Sequence, residues 1–387
     1  MSEELTNNLF NYATSELSQD AFLCWLLSYA QEKEYNGDDD KLQKCAQALI
    51  KEFLEGQKDE KGNCLISKNG DKKIVERIEK QWKFIDVLVT LKDGKKIIIE
   101  DKTYTTDHDN QLKRYKDEFT NDADNVYGVY YKTGFCCETI KNDMYKGYYF
   151  FGLNKIKEFF EKYDDIDNAI FNNYRDFIIE YYEEKNKYKS TAISEWTSTM
   201  IQGFYDDLVK KINIKGKLTD GHCGYGYVPN KSGGFYGLWL IPEETIECKM
   251  NEEQTMKYIP YIQMQFEAKK DLNGKQQSTM KNGKQQSTMK ICLKIEVKEG
   301  DDYINLRNEI TKGERIFEVN PDNETIKFEK PQRWGSGRTM TLYELDLNNE
   351  GEYTEVKQVF EKVFKSFDEI YEKIGKRTSE ESDLKIS

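Results

Sequence analysis

Asp86, Glu100 and Lys102 place charge where charge is costly. Asp86 lies in the run Trp82-Lys83-Phe84-Ile85-Asp86-Val87-Leu88-Val89, and the other two in Lys96-Ile97-Ile98-Ile99-Glu100-Asp101-Lys102. Val, Ile and Phe fill most other positions, the pattern of strands buried on both faces, and Gly94 lies in the short turn between the runs. Side chains alternate along a strand, so Glu100 and Lys102 share a face while Asp101 points to the opposite side. The short connection between residues 91 and 96 makes the strands adjacent antiparallel neighbours, on which Asp86 can meet Glu100 and Lys102. Two carboxylates and an ammonium then converge. Such a set suits metal-assisted cleavage of a phosphodiester: Mg²⁺ or Mn²⁺ takes oxygen ligands and leaves positions for a phosphate and a water. A nearby Lys stabilises transition-state charge or orients the water.

A solvated ion pair at a strand rim is the alternative, worth only about 0–1 kcal/mol. Against it, an unpartnered Asp86 flanked by Phe84-Ile85 and Val87-Leu88-Val89 would cost several kcal/mol. The elements around the pair follow from periodicity. Leu17, Phe22, Leu23, Leu26 and Leu27 mark a helix over 15–29, and Leu42, Ala46, Leu49, Ile50 and Phe53 another over 41–54. A strand is expected over 74–82, a helix over about 107–119 with Thr106 or Asp107 as N-cap, and a strand over 125–131. Gln111 and Tyr115 sit four apart on that third helix and project from one face toward the site.

Asp86 followed by Glu100-x-Lys102 resembles the signature of the PD-(D/E)XK nuclease superfamily, here without its Pro, since Ile85 precedes the Asp. Gln111-Leu-Lys-Arg-Tyr115 is similar to the Gln-x-x-x-Tyr element of the lambda-exonuclease and recombination-nuclease branch. The resemblance implies an α/β class with a restriction-endonuclease-like αβββαβ core, a Mg²⁺ or Mn²⁺ cofactor, and nucleic acid as partner, DNA ahead of RNA. It assigns catalysis to Asp86, Glu100, Lys102, Gln111 and Tyr115. Metal would be held by Asp86, Glu100, Asp101 through its carbonyl, and an acid of the first helix, Glu16 or alternatively Asp20. Glu16 and Asp20 also suit the helix dipole, which favours acids in a first turn by up to about 1 kcal/mol. Glu79 is a further candidate. The competing reading is a noncatalytic nucleic-acid or ligand-binding protein on a nuclease scaffold, against which the intact Asp, Glu and Lys argue.

At 387 residues the chain is long enough for two domains. A mean hydropathy of −0.84 leaves no apolar run near the ~20 residues of a membrane span. Met-Ser-Glu-Glu-Leu lacks the features of a secretory signal, so a cytoplasmic protein is expected. The eight cysteines suggest neither a zinc pattern nor a disulfide framework, and His108 and His222 supply no histidine-rich site. A formal net charge of −12 argues against indiscriminate adhesion to nucleic acid, because phosphate contact needs local positive charge. Lys113 and Arg114 supply some on the third helix. Lys330-Pro-Gln-Arg333-Trp-Gly-Ser-Gly-Arg338 supplies more, unless it is a turn between strands.

The charged stretch that begins at Glu183 divides the chain into a nuclease-like domain over 1–187 and an α+β domain of unknown role over 188–387. For the latter we expect a helix over 193–212, strands over 235–241, 258–266, 290–297, 325–328 and 338–347, and a closing helix over 353–373. A protein partner or a second copy of the chain would dock there. Asn-Gly-Lys-Gln-Gln-Ser-Thr-Met-Lys occurs at 273–281 and again at 282–290, which reads as a hairpin insertion turning at Asn282-Gly283.

Overall fold

Both apolar motif runs form strands of one sheet. The computed structural model describes residues 7–13, 15–66, 73–103, 110–138, 140–211, 223–229, 234–242, 244–251, 254–267, 279–281, 284–286, 288–347 and 352–379. The chain divides into two compact units, 1–183 and 184–387. The first begins with α1 (Glu16–Ser28) and α2 (Asp38–Glu55), whose opening acids Asp38, Asp39 and Asp40 complement its dipole. Then come β1 (Val75–Trp82), β2 (Ile85–Leu91), β3 (Lys96–Lys102), α3 (Gln111–Asp117), β4 (Val126–Lys132), β5 (Met144–Tyr145), β6 (Tyr148–Gly152), α4 (Leu153–Phe160) and α5 (Ala169–Asn186). The strands lie in the order β1-β2-β3-β4-β6-β5. β1, β2 and β3 pair antiparallel, whereas β3 with β4 and β4 with β6 pair parallel. This is the αβββαβ core, formed by α1, β1, β2, β3, α3 and β4, with a further hairpin and three further helices, α2, α4 and α5.

Alternation explains why both faces are apolar. Val87, Val89, Ile97, Ile99, Val129 and Tyr131 pack with the buried stripes of α1, α2, α4 and α5. Leu88, Ile98 and Tyr130 pack the other way, with Leu112 and Tyr115 of α3. A sheet covered on both sides must read as near-continuous hydrophobic runs.

Composition predicts a single strand from Trp82 to Val89, but the structure breaks that run at Lys83-Phe84. β1 ends at Trp82, which pairs with Ile85, and Lys83 and Phe84 form a two-residue turn with φ of 48° and 70°. Two positive φ angles belong to a type I′ turn, ordinarily Asn-Gly. Neither Lys nor Phe signals it, and each left-handed residue costs about 1–2 kcal/mol. Asp86 is therefore the second residue of β2, beside a turn, and half-buried. α3 is also shorter than its periodicity predicts. Asn110 takes a left-handed φ of 56° and the helix starts only at Gln111. Thr106 and Asp107 lie outside the described residues.

The second unit contains α6 (Ser198–Lys211), β7 (Cys223–Val228), β8 (Phe235–Leu240), β9 (Ile246–Lys249), β10 (Thr255–Glu267), β11 (Thr279–Lys281), β12 (Lys284–Gln286), β13 (Thr288–Glu299), α7 (Tyr303–Thr311), β14 (Ile316–Val319), β15 (Ile326–Glu329), β16 (Thr339–Leu347), α8 (Tyr353–Lys365) and α9 (Phe367–Ser379). Its main sheet runs β14-β15-β16-β13-β10-β8-β7, with β9 on β10. The closing helix expected over 353–373 is two helices broken at Ser366. β11 and β12 pair antiparallel with Lys281 opposite Lys284, while residues 282 and 283 lie outside the described ones. Among the described residues no helix is long and apolar enough to cross a membrane.

Candidate active site

The register of β2 on β3, with Val87 opposite Ile99 and Leu88 opposite Ile98, sets Asp86 across from Glu100. Lys102 follows two residues on, on the same face. Its ammonium forms an ion pair with Glu100 Oε1 and lies 4.0 Å from Asp86 Oδ2. Glu100 is fully buried, and its Oε2 receives no hydrogen bond among the described residues. Burial first and the Asp86 charge second push its carboxyl up to about 8, against the pull of Lys102. Burial works against the Lys102 charge, but Glu100, Asp86 and Glu16 outweigh it and hold the ammonium above its usual value. Asp86 is fixed from two sides: Oδ2 accepts from the Asp101 backbone N–H at 3.0 Å and Oδ1 from Gln81 Nε2 at 3.0 Å.

The acids of α1 face the same neighbourhood differently. Glu16 Oε1 accepts from the Thr103 backbone N–H at 2.8 Å, just past the end of β3. Asp20 is buried, and the Gln81 amide that holds Asp86 also reaches Asp20 Oδ2 at 3.4 Å. Burial and then the Asp86 charge push Asp20 up to about 7. Asp101, on the opposite face from Glu100, is fully buried, and neither carboxylate oxygen has a hydrogen-bond partner among the described residues. Burial, then the charges of Asp20, Glu16 and Asp86, raise it well above the usual carboxylate range. A neutral carboxyl is far cheaper to bury than a carboxylate. A buried polar chain sets α1 against the strand ends: Gln19 Nε2 donates to Thr103 Oγ1 and Thr133 Oγ1, and Gln19 Oε1 accepts from Tyr174, which contacts Tyr131.

Gln111 and Tyr115 come together, and their target is a backbone group. Gln111 Nε2 donates to Tyr115 Oη at 2.5 Å, and Tyr115 Oη donates to the Phe84 carbonyl at 2.5 Å. The pair thus ties α3 to the turn that delivers Asp86. Burial first, with the Glu100 and Asp86 charges behind it, raises the Tyr115 hydroxyl. Lys113 and Arg114 are exposed on the same helix. Glu79 pairs with Arg77 at 3.1 Å. In the second unit Arg333 is exposed, whereas Arg338 Nε donates to the Val297 carbonyl at 2.7 Å and its guanidinium lies 3.9 Å from Glu296. Sequence reasoning passed over Gln81, Gln19 and Phe84. Gln81 and Gln19 are ordinary polar residues in their runs, and only the fold puts them beside carboxylates and hydroxyls.

Among the described residues no three His, Cys, Asp or Glu side chains are grouped to cage a metal ion. Two facing carboxylates, one with a buried oxygen that lacks a donor, instead fit a hard cation that keeps its waters and takes further oxygens from a phosphate, the habit of Mg²⁺. The structure brings Asp86, Glu100 and Lys102 together. It turns Glu16 to Thr103 and the Asp101 carboxylate to the opposite face. A family model described as the PD-(D/E)XK nuclease superfamily matches residues 7–215, more than half of the chain. No curated protein and no solved structure gives a match.

Proposed function

The chain belongs to the PD-(D/E)XK nuclease superfamily, and from that premise we propose a metal-dependent nuclease that hydrolyses phosphodiester bonds of DNA, in defence against foreign DNA or in repair. The observation that carries this reading is the convergence of Asp86, Glu100 and Lys102 on one face of β2 and β3, with Glu100 buried and short of donors. Asp86 and Glu100 would hold Mg²⁺ or Mn²⁺, with an acid of α1 or the Asp101 carbonyl as further donors. A bound divalent cation supplies Lewis-acid stabilisation of the phosphate and a more acidic water. Gln81 and the Asp101 backbone N–H keep Asp86 aimed at Glu100. Lys102, positively charged and nearly buried, neutralises charge that develops on the phosphate oxygens or orients the attacking water. Tyr115, braced by Gln111, fixes the turn before Asp86. Lys113 and Arg114 meet the phosphate backbone, so binding is expected to be strongly salt-sensitive. The second unit serves as an adaptor for substrate selection or regulation.

The test is a cleavage assay on linear, circular and single-stranded DNA and on RNA, with Mg²⁺, Mn²⁺ or EDTA. Cleavage is expected with metal alone and on DNA first. Asp86→Ala and Glu100→Ala should each abolish it while leaving the far-UV circular dichroism of the protein intact. Full activity in either variant overturns the assignment.

A further inference from the structure

We infer that Phe84 is a stacking platform for an unpaired base of the substrate strand; this rests on the nuclease reading and extends it to how the strand is held. Phe84 is the most exposed large hydrophobic side chain among the described residues, at 83 %. It sits at φ 70°, next to Lys83 at φ 48° and three residues after Gln81 at φ 56°. Left-handed geometry is rare for bulky side chains, and such strain persists only where the surroundings impose it. Here they do. The Phe84 carbonyl is held by Tyr115, which Gln111 braces in turn, so the Gln-x-x-x-Tyr element acts directly on the residue that bears the ring. Neighbouring Trp82 is turned inward and stacks on Phe119, with centroids 5.5 Å apart. The fold thus packs one ring of this hairpin, half-buried, against the core and presents the other to solvent, two residues from Asp86. Exposed Lys113 and Arg114 lie two residues and one residue before Tyr115, on the helix that latches the turn, where they can meet a phosphate backbone. A rigid aromatic face beside cations is what binds single strands without regard to sequence.

The full-length chain, with Ca²⁺ replacing Mg²⁺, is titrated into short fluorescein-labelled single strands of DNA and of RNA and into duplex DNA, and anisotropy is read. Phe84→Ala and Phe84→Gly should weaken single-strand binding by roughly 5- to 100-fold, the span of stacking on one ring. Phe84→Gly should melt no lower than wild type, because glycine takes left-handed geometry without strain, so lost binding is not lost fold. Phe84→Trp should bind like wild type and show quenching by the strand beyond that of the native tryptophans. Wild-type affinity of the Ala and Gly variants for every strand, or no added quenching in Phe84→Trp, overturns the platform while leaving the nuclease reading in place. A wild-type chain that neither binds nor cuts any strand removes both.

Discussion

Glu100 holds the sharpest conflict at the level of single residues, a carboxyl fully buried beside another acid and answered by one ammonium. Its carboxyl is raised from 4.5 to about 8, and that of Asp20 from 3.8 to about 7. Between the ordinary and raised values the folded protein keeps protons that the unfolded chain has released, so stability must fall as pH rises through that window. We predict that the metal-free protein loses melting temperature steadily between about pH 5 and pH 8, by an amount on the order of a few kcal/mol in stability. Glu100→Gln should flatten the curve, and Mn²⁺ should restore the loss at the alkaline end by favouring the carboxylate. Thermal melts across pH, with and without metal, check this; a flat metal-free curve contradicts it. Lys102 differs, because its charge matters most when the phosphate gains charge. Lys102→Ala should lower turnover by about 10²- to 10³-fold, yet leave Mn²⁺ affinity equal or higher, since a competing cation has gone. Calorimetric titration beside a turnover assay separates the effects, and unchanged turnover would reduce Lys102 to a partner of Glu100.

Among the elements, the hairpin of β1 and β2 governs the site, because its turn sets where Asp86 emerges. Tyr115→Phe removes one hydroxyl and leaves both the Phe84 carbonyl and the Gln111 amide without it. The expected cost is about 1 kcal/mol or somewhat more in stability, with a larger loss in turnover as the turn loosens and Asp86 drifts. Denaturant melts and kinetics on the same variant test this, and a variant equal to wild type in both would make the latch incidental. The same hairpin shows how far sequence could be read. β3 and the facing of Asp86 with Glu100 and Lys102 were legible, because a strand alternates and a buried acid stands out. The turn was not, because Lys83-Phe84 lacks the Asn-Gly chemistry and is imposed by its surroundings rather than by local preference. For the same reason Gln81 went unread, since its role arises only once the hairpin brings it opposite Asp86. α3 was read too long, since Asn110 interrupts a pattern that periodicity alone continues. In the second unit β8, β10, β13, β15 and β16 were expected, but β7, β9, β14 and α7 were missed, being short, polar or rich in glycine.

For the whole molecule the question is where the nuclease ends. Its sheet is complete by Gly152, and the two hydrophobic clusters that cover the sheet run from Phe10 to Ile178 in their buried residues and no further than Tyr182 in the partly buried ones packed against them. A domain that encloses its own core can fold alone. The compact units divide after Glu183, close to the 187 boundary that charge patterning predicts, yet the family match continues to residue 215 and takes in α6. These observations give different lengths to the working enzyme, and two truncations separate them. We predict that a chain ending at Lys187 melts cooperatively and keeps the affinity of the full-length protein for Mn²⁺, because every proposed ligand precedes Thr103. It should lose discrimination among substrates, which the second unit would supply; reversing Arg333 to Glu in the full-length chain should then shift binding in the same direction and more at low salt than at high. The comparison is melting, metal titration and cleavage for chains ending at 187 and at 215 and for the intact protein, at two salt concentrations. If only the longer truncation folds, α6 belongs to the nuclease and the boundary lies beyond 211. If the shorter one folds and cuts every substrate as the intact protein does, the second unit has no part in choosing what is cut.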